Sequence, residues 1–273
     1  MKITFIGGGN MASALIAGLA GQLTAGANIH VVDPNPEQLA RLGDSFGVTT
    51  APQVDAVAGQ SDVIVLAVKP QQMRDVAVGL LPQLGRKPLL LSIAAGIRGA
   101  DLSRWLGGYG AIVRTMPNTP ALIGRGITGM VAMAGVSAEQ KTAADNIMKA
   151  VGATVWLDDE ALIDPVTAVS GSGPAYVFYF IEAMQQAAQE LGLSKEQGKQ
   201  LALATFAGAS QLAAQSPDDV SVLRERVTSK GGTTYAALQS LEQSGVKQAI
   251  VDAVKAASAR GRELGEQLGG DRV

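Results

Sequence analysis

Near the amino terminus, Ile3-Thr4-Phe5-Ile6 runs straight into Gly7-Gly8-Gly9-Asn10, and a charge-free stretch of small and apolar residues follows from Met11 to Leu23. After Lys2 no charge occurs up to residue 23, a pattern shared with secretory signals and short membrane spans. The polar–apolar alternation of Lys2 to Ile6 and the break at three glycines read instead as strand, tight turn and helix. A chain that begins this way is constrained to pack a helix directly over a sheet.

Further apolar runs repeat at the spacing of alternating strands and helices. Ile29 to Val32, Asp62 to Val68, Leu89 to Ile93 and Ala111 to Arg114 are continuous rather than alternating, as expected of strands buried on both faces of a parallel sheet. Between them, Asn35-Pro36-Glu37 reads as a helix cap with proline at the first position, and Ser137 with Gln140 as a capping box. Residues 1–160 are expected to form a doubly wound α/β domain that binds a dinucleotide.

After Asp158-Asp159-Glu160 the strand-like runs stop. Val177, Phe180, Ile181, Met184, Ala188 and Leu191 recur at helical spacing and are read as core. Ser194 to Gln197 and Ser216 to Asp219 open two more helices. Thr233 and Thr234 are expected to cap a fourth, ending at Gly245, and a last helix is expected from Val246 to about Leu264. Residues 161–273 are expected to be helical, and 273 residues suit two domains.

The composition excludes several chemistries. With no cysteine and one histidine, the chain has no disulfide, thiol nucleophile or Cys/His zinc site, and a Ser-His-Asp triad only if His30 serves as base. His30 precedes Asp33 on an expected strand and is read as a packed imidazole. Absence of cysteine fits a cytoplasmic location. A net charge of −2 gives no footprint for nucleic acid or an anionic membrane, so the expected partners are a small-molecule substrate and copies of the chain itself.

Gly7-Gly8-Gly9-Asn10-Met11-Ala12 matches G-x-G-x-x-A between a strand and a helix. This is the dinucleotide fingerprint: Gly7 for the tight turn, Gly9 for close approach to a pyrophosphate, Ala12 for helix–strand packing. Asp33, 21 residues after Ala12, either accepts hydrogen bonds from the adenosine ribose or belongs only to the turn Asp33-Pro34-Asn35-Pro36. Arg41 lies one to two helical turns further on, so coenzyme preference stays open. Ala67-Val68-Lys69-Pro70 and Ser92-Ile93-Ala94-Ala95-Gly96 end the next strands and border the same cleft, with Lys69 either at a phosphate or merely solvated. Two strings, Ser170-Gly171-Ser172-Gly173-Pro174 and Ser229-Lys230-Gly231-Gly232-Thr233-Thr234, are each expected to precede a helix and to serve as a cap or as an anion site.

The segment Phe5 to Leu15, Ala67 to Pro70, Val113-Arg114-Thr115-Met116-Pro117-Asn118-Thr119-Pro120, Thr167 to Tyr176 and Ser229 to Thr234 together resemble the pyrroline-5-carboxylate reductase family, in order, from residue 3 to about 264. The resemblance implies an α/β plus all-α fold, with an N-terminal Rossmann-type doubly wound sheet and a C-terminal helical dimerisation domain. It implies reduction of 1-pyrroline-5-carboxylate to L-proline with NADPH or NADH, by a homodimer or higher homo-oligomer. It places the coenzyme at Ile6, Gly7, Gly8, Gly9, Asn10, Met11, Asp33, Ala67, Val68, Lys69, Pro70, Ala94 and Ala95. Substrate falls to Ser229, Gly231, Gly232, Thr233 and Thr234, with the Thr234 hydroxyl at the ring nitrogen. Lys230 stands where many members have proline, and Asp33 where NADP-preferring members often carry Ser, Thr or Asn.

A protonated cyclic iminium already carries the proton its nitrogen needs, which suits a chain without an obvious strong acid. Two alternatives are a 3-hydroxyacid-type dehydrogenase using Lys195 or Lys199, both read as solvated, and a non-catalytic dinucleotide-binding protein. The low charge density of residues 165–181 points to at least a dimer.

Overall fold

The computed structural model describes residues 1–270; the last three residues of the expected 161–273 domain lie outside the described residues. One eight-stranded sheet runs in the order β3-β2-β1-β4-β5-β6-β7-β8, from β1 (Ile3–Ile6), β2 (Ile29–Val32), β3 (Thr49–Ala51), β4 (Val63–Leu66), β5 (Leu89–Ser92), β6 (Ile112–Met116), β7 (Gly126–Ala132) and β8 (Gly152–Trp156). Neighbours pair in parallel except β6 and β7, which are antiparallel. That pair departs from the all-parallel expectation.

The helices of the α/β part are α1 (Asn10–Leu19), α2 (Pro36–Phe46), α3 (Met73–Leu80), α4 (Gly99–Trp105), α5 (Ala138–Lys149) and α6 (Ile163–Val166). They cover both faces of the sheet. Ile3, Phe5, Val63, Val65, Leu89 and Leu91 pack with Leu15, Ile16 and Leu19 of α1 in one core. Ile64, Leu66, Leu90 and Ile112 pack with Met73, Ala77 and Leu80 of α3 in a second. Alternate strand residues feed opposite cores, which explains the unbroken apolar runs. Each such side chain removed from water contributes roughly 1.5–3 kcal/mol.

The local signals hold. Asn35 accepts from the N–H groups of Glu37 and Gln38, with Pro36 opening α2. Ser137 and Gln140 form a capping box at α5.

The remaining helices are α7 (Gly173–Glu190), α8 (Lys195–Gln215), α9 (Val220–Arg226), α10 (Thr233–Gln243) and α11 (Val246–Gly269). Ser194 and Gln197 make the expected capping box at α8, and Asp219 caps α9. Packing divides the described residues into two compact units, one of residues 1–172 together with 256–270, the other of residues 173–255. Among the described residues, no helix is long and apolar enough to cross a membrane.

Three helical expectations are corrected. α10 is capped by Gly232, with Thr233 and Thr234 inside its first turn. α11 continues past Leu264 to Gly269. Of the expected core stripe, only Ile181 is buried, while Val177 and Met184 are each 42% exposed and Leu191 is 85% exposed. The second unit is too thin to enclose both faces of α7, and a broad apolar surface results.

Within the first unit, the end of α11 lies on the loop after β5. A Cβ at Gly265 would come 3.3 Å from the carbonyl oxygen of Gly96, so a larger residue would push the helix off. Arg104 Nη2 donates to the Gly269 carbonyl at 2.6 Å, meeting a helix-end acceptor.

Candidate active site

The sheet's strand order reverses between β1 and β4, and ligands of open α/β sheets bind at such a switch point, beyond the carboxyl ends of the strands. Gly7 sits there at φ 102°, and a Cβ on it would lie 2.6 Å from the Ala67 carbonyl oxygen. Only glycine fits both demands. Its N–H donates to the Val32 carbonyl at 2.8 Å. Gly9 then caps α1 with no side-chain hydrogen bond. Its missing Cβ would meet nothing within 4 Å. The first-turn N–H groups of α1 therefore face an open surface, as a pyrophosphate requires. Ala12 is buried against the sheet.

Asp33, just after β2, reaches this loop. Its Oδ2 accepts the Gly8 N–H at 2.7 Å and its Oδ1 the Asn35 N–H at 2.9 Å. Gln38 donates to the Gly8 carbonyl and to Ser13 Oγ. Arg41 Nη2 donates to Gln38 Oε1 at 2.9 Å. Ala67 and Val68 follow β4, with Lys69 exposed and capping the turn Pro70–Gln72. Ala94 and Ala95 follow β5. The structure thus brings Ile6 to Met11, Asp33, Ala67 to Pro70 and Ala94-Ala95 to one edge of one sheet. Ile6 and Ala94 are buried, so they can offer a ligand mainly their main chain.

The string Ser170 to Pro174 precedes a helix, as expected, but its first two residues are already helical. α6 continues into a π-helical turn over Thr167–Gly171, in which the Ser172 N–H donates to the Thr167 carbonyl at 2.8 Å, and α7 begins at Gly173. The Ser172 N–H is spent within the turn and Pro174 has none, so this helix start offers fewer free donors than the loop before α10. Such π turns recur at functional sites.

In the second unit, Ser229 and Lys230 are exposed, Gly231 adopts φ 76°, and the Gly232 N–H donates to the Ser229 carbonyl at 3.0 Å. The loop ends at the amino terminus of α10, which has no side-chain cap and no acidic residue in its first turn. Thr233 is exposed and Thr234 half-buried. Ser229, Gly231, Gly232, Thr233 and Thr234 are therefore clustered, with main-chain donors and hydroxyls available to a carboxylate.

His30 is 4% exposed, its Nδ1 2.8 Å from Thr49 Oγ1 and its Nε2 3.3 Å from Asp55 Oδ1, the packed position expected of it. Lys195 and Lys199 are exposed on α8. Among the described residues, no three His, Asp or Glu side chains gather as metal ligands. Two features escaped sequence reasoning. Arg114 is nearly buried and bonds Glu160 at 2.6 Å, and Asn118 holds two main-chain groups; both are long-range contacts with no local signature.

Two family models match the chain. Residues 160–264 match pyrroline-5-carboxylate reductase dimerisation, and residues 2–96 match NADP oxidoreductase, coenzyme F420-dependent. The pyrroline-5-carboxylate reductase of Pseudomonas aeruginosa is 47% identical over 98% of this chain and 98% of its own. The chain belongs to the pyrroline-5-carboxylate reductase family. A solved member of that family, from Coxiella burnetii, is 40% identical, with a TM-score of 0.91 over 96% of this chain and 98% of its own. The Plasmodium falciparum pyrroline carboxylate reductase, solved with NADP bound, is 32% identical with a TM-score of 0.87, over 97% of this chain and 98% of its own. The family's architecture of a Rossmann-type sheet and a helical part is the fold described above.

Proposed function

We propose that the protein reduces the C=N bond of 1-pyrroline-5-carboxylate to form L-proline with NADPH or NADH, the last step of proline biosynthesis. The observation that carries this reading is 47% identity along 98% of the chain to an enzyme named for that reaction. Ile6 to Met11, Ala67 to Pro70 and the Ala94-Ala95 loop hold the coenzyme, with the α1 N–H groups at the pyrophosphate and Asp33 at the adenosine ribose. The donor set and the open surface over Gly9 fit that group. Bound there, the nicotinamide supplies a hydride.

The chain's own residues bind and orient. Ser229, Gly231, Gly232 and Thr233 take the substrate carboxylate at the start of α10, where the helix dipole favours an anion. The Thr234 hydroxyl holds the ring nitrogen. Because an iminium arrives protonated, no protein acid has to deliver a proton during the step, which agrees with the packed His30 and the exposed Lys195 and Lys199.

We assign residues 1–160 to the coenzyme and 161–273 to substrate and dimerisation, so that the working form is a homodimer or higher homo-oligomer in the cytoplasm. The exposed apolar face of α7 supports self-association, and a net charge of −2 argues against nucleic acid as a partner. Oxidation of NADPH or NADH is followed by absorbance with 1-pyrroline-5-carboxylate as substrate, alongside light scattering. Substrate-dependent oxidation is expected from a species of at least two chains. No oxidation of either coenzyme would overturn the reading.

A further inference from the structure

In a regular α-helix the carbonyl of Ser170 would accept the N–H of residue 174, but that residue is Pro174 and has none. Asn118 supplies the donor instead: its Nδ2 donates to the Ser170 carbonyl at 3.1 Å, while its Oδ1 accepts the Ile127 N–H at 3.0 Å. Asn118 is 9% exposed. The π-helical turn rests on the same segment, since a Cβ at Gly171 would fall 2.7 Å from Met116 Cε. That segment belongs to the coenzyme edge. β6 runs parallel to β5, Ser92 pairs with Arg114 in register, and Thr115 Oγ1 donates to the Ser92 carbonyl at 3.0 Å. The end of β6 therefore stands beside the loop that carries Ala94 and Ala95.

We infer that Asn118 is a positioning residue for the reaction, whose amide replaces the donor that Pro174 lacks and holds the 167–172 turn as a wall at the end of β6. The inference rests on the coenzyme-edge reading above. A neutral amide is suited to the task because it donates on one side and accepts on the other; a carboxylate keeps only the acceptor, and a serine is too short to span both groups. A wall displaced by about 1 Å costs up to roughly a hundredfold in rate.

The test combines Asn118→Asp and Asn118→Ser, each alone and with Pro174→Ala, which gives residue 174 an N–H of its own. Asn118→Asp is expected to lower kcat about tenfold or more while the NADPH dissociation constant, read by fluorescence titration, stays within about twofold. Hydrogen–deuterium exchange over residues 167–172 is expected to rise. In the Pro174→Ala background both effects shrink, which a general loss of stability would not produce. The inference is overturned if kcat and exchange match wild type in both variants, if the losses are equal with and without Pro174→Ala, or if both variants fail to fold. A wild-type chain that binds NADPH yet reduces no 1-pyrroline-5-carboxylate overturns the proposed function, and the exchange measurement then decides the Asn118 coupling by itself.

Discussion

The Gly8 N–H and the Asp33 carboxylate meet at 2.7 Å, joining the glycine turn after β1 to the end of β2. With the Asn35 N–H on its other oxygen, Asp33 is a structural clamp on the turn as well as a negative charge at the edge where a ribose would bind. An NADPH 2′-phosphate would have to approach that charge, with Arg41 one helical turn and a half away on α2. Asp33→Ser is expected to raise the ratio of kcat/KM for NADPH over NADH by about tenfold, equivalent to about 1.4 kcal/mol. Steady-state kinetics with both coenzymes check it, and an unchanged ratio would show that Asp33 only clamps the turn.

Thr234 is assigned to the ring nitrogen of the substrate. Thr234→Ala is expected to lower kcat/KM by roughly one to two powers of ten, as for loss of one well-aligned hydrogen bond, with Thr234→Ser recovering most of it. Coenzyme affinity should not move. Wild-type kinetics in the alanine variant would remove Thr234 from the site.

Arg114 is 5% exposed, and Glu160 Oε1 takes both its Nη1 at 2.6 Å and the Gly99 N–H at 2.6 Å. Glu160→Ala leaves a buried guanidinium and an N–H without their acceptor, and about 3 kcal/mol of stability should be lost. Urea unfolding measures it. A change below about 1 kcal/mol would mean that water reaches Arg114 freely.

Burial lowers the pKa of His30, and this outweighs the nearby Asp55 carboxylate, which acts in the opposite sense. In the unfolded chain an imidazole takes up its proton near its ordinary pKa of about 6.5, while the folded protein resists protonation. The unfolded state therefore binds more protons below that pH. Stability is full above about pH 6.5 and declines as the pH falls through it. Thermal unfolding between about pH 7.5 and 5 should show a falling Tm, and His30→Gln should flatten the fall. Parallel curves for the two proteins would rule out His30 as its source.

What the sequence made legible was mostly local. Asn35 and the Ser137 and Ser194 boxes bind donors within three residues, so the string and the structure carry the same information. Gly7 was readable because strand, turn and helix are contiguous. β7 and β8 escaped because each contains glycine and owes its existence to pairing with distant strands, with Gly126 facing Gly152. The string Ser170 to Pro174 was read as preceding a helix, and α7 does begin at Gly173; the π-helical turn before it had no local signal, since its Ser170 carbonyl takes the amide of Asn118, 52 residues away. The α7 stripe was read as core, and most of it is surface, since periodicity reports amphipathicity and not what covers the apolar face.

Residues 256–269 of α11 pack in the first unit, although residues 173–255 precede them in another. In covalent terms the helical unit is an insertion, and the α/β unit is completed only by sequence that follows it. A fragment ending at residue 160 or 172 would uncover Gly96 and take the Gly269 carbonyl from Arg104, so a single cut removes part of that unit's own packing. During synthesis, too, the loop after β5 gains its support only once α11 has been made.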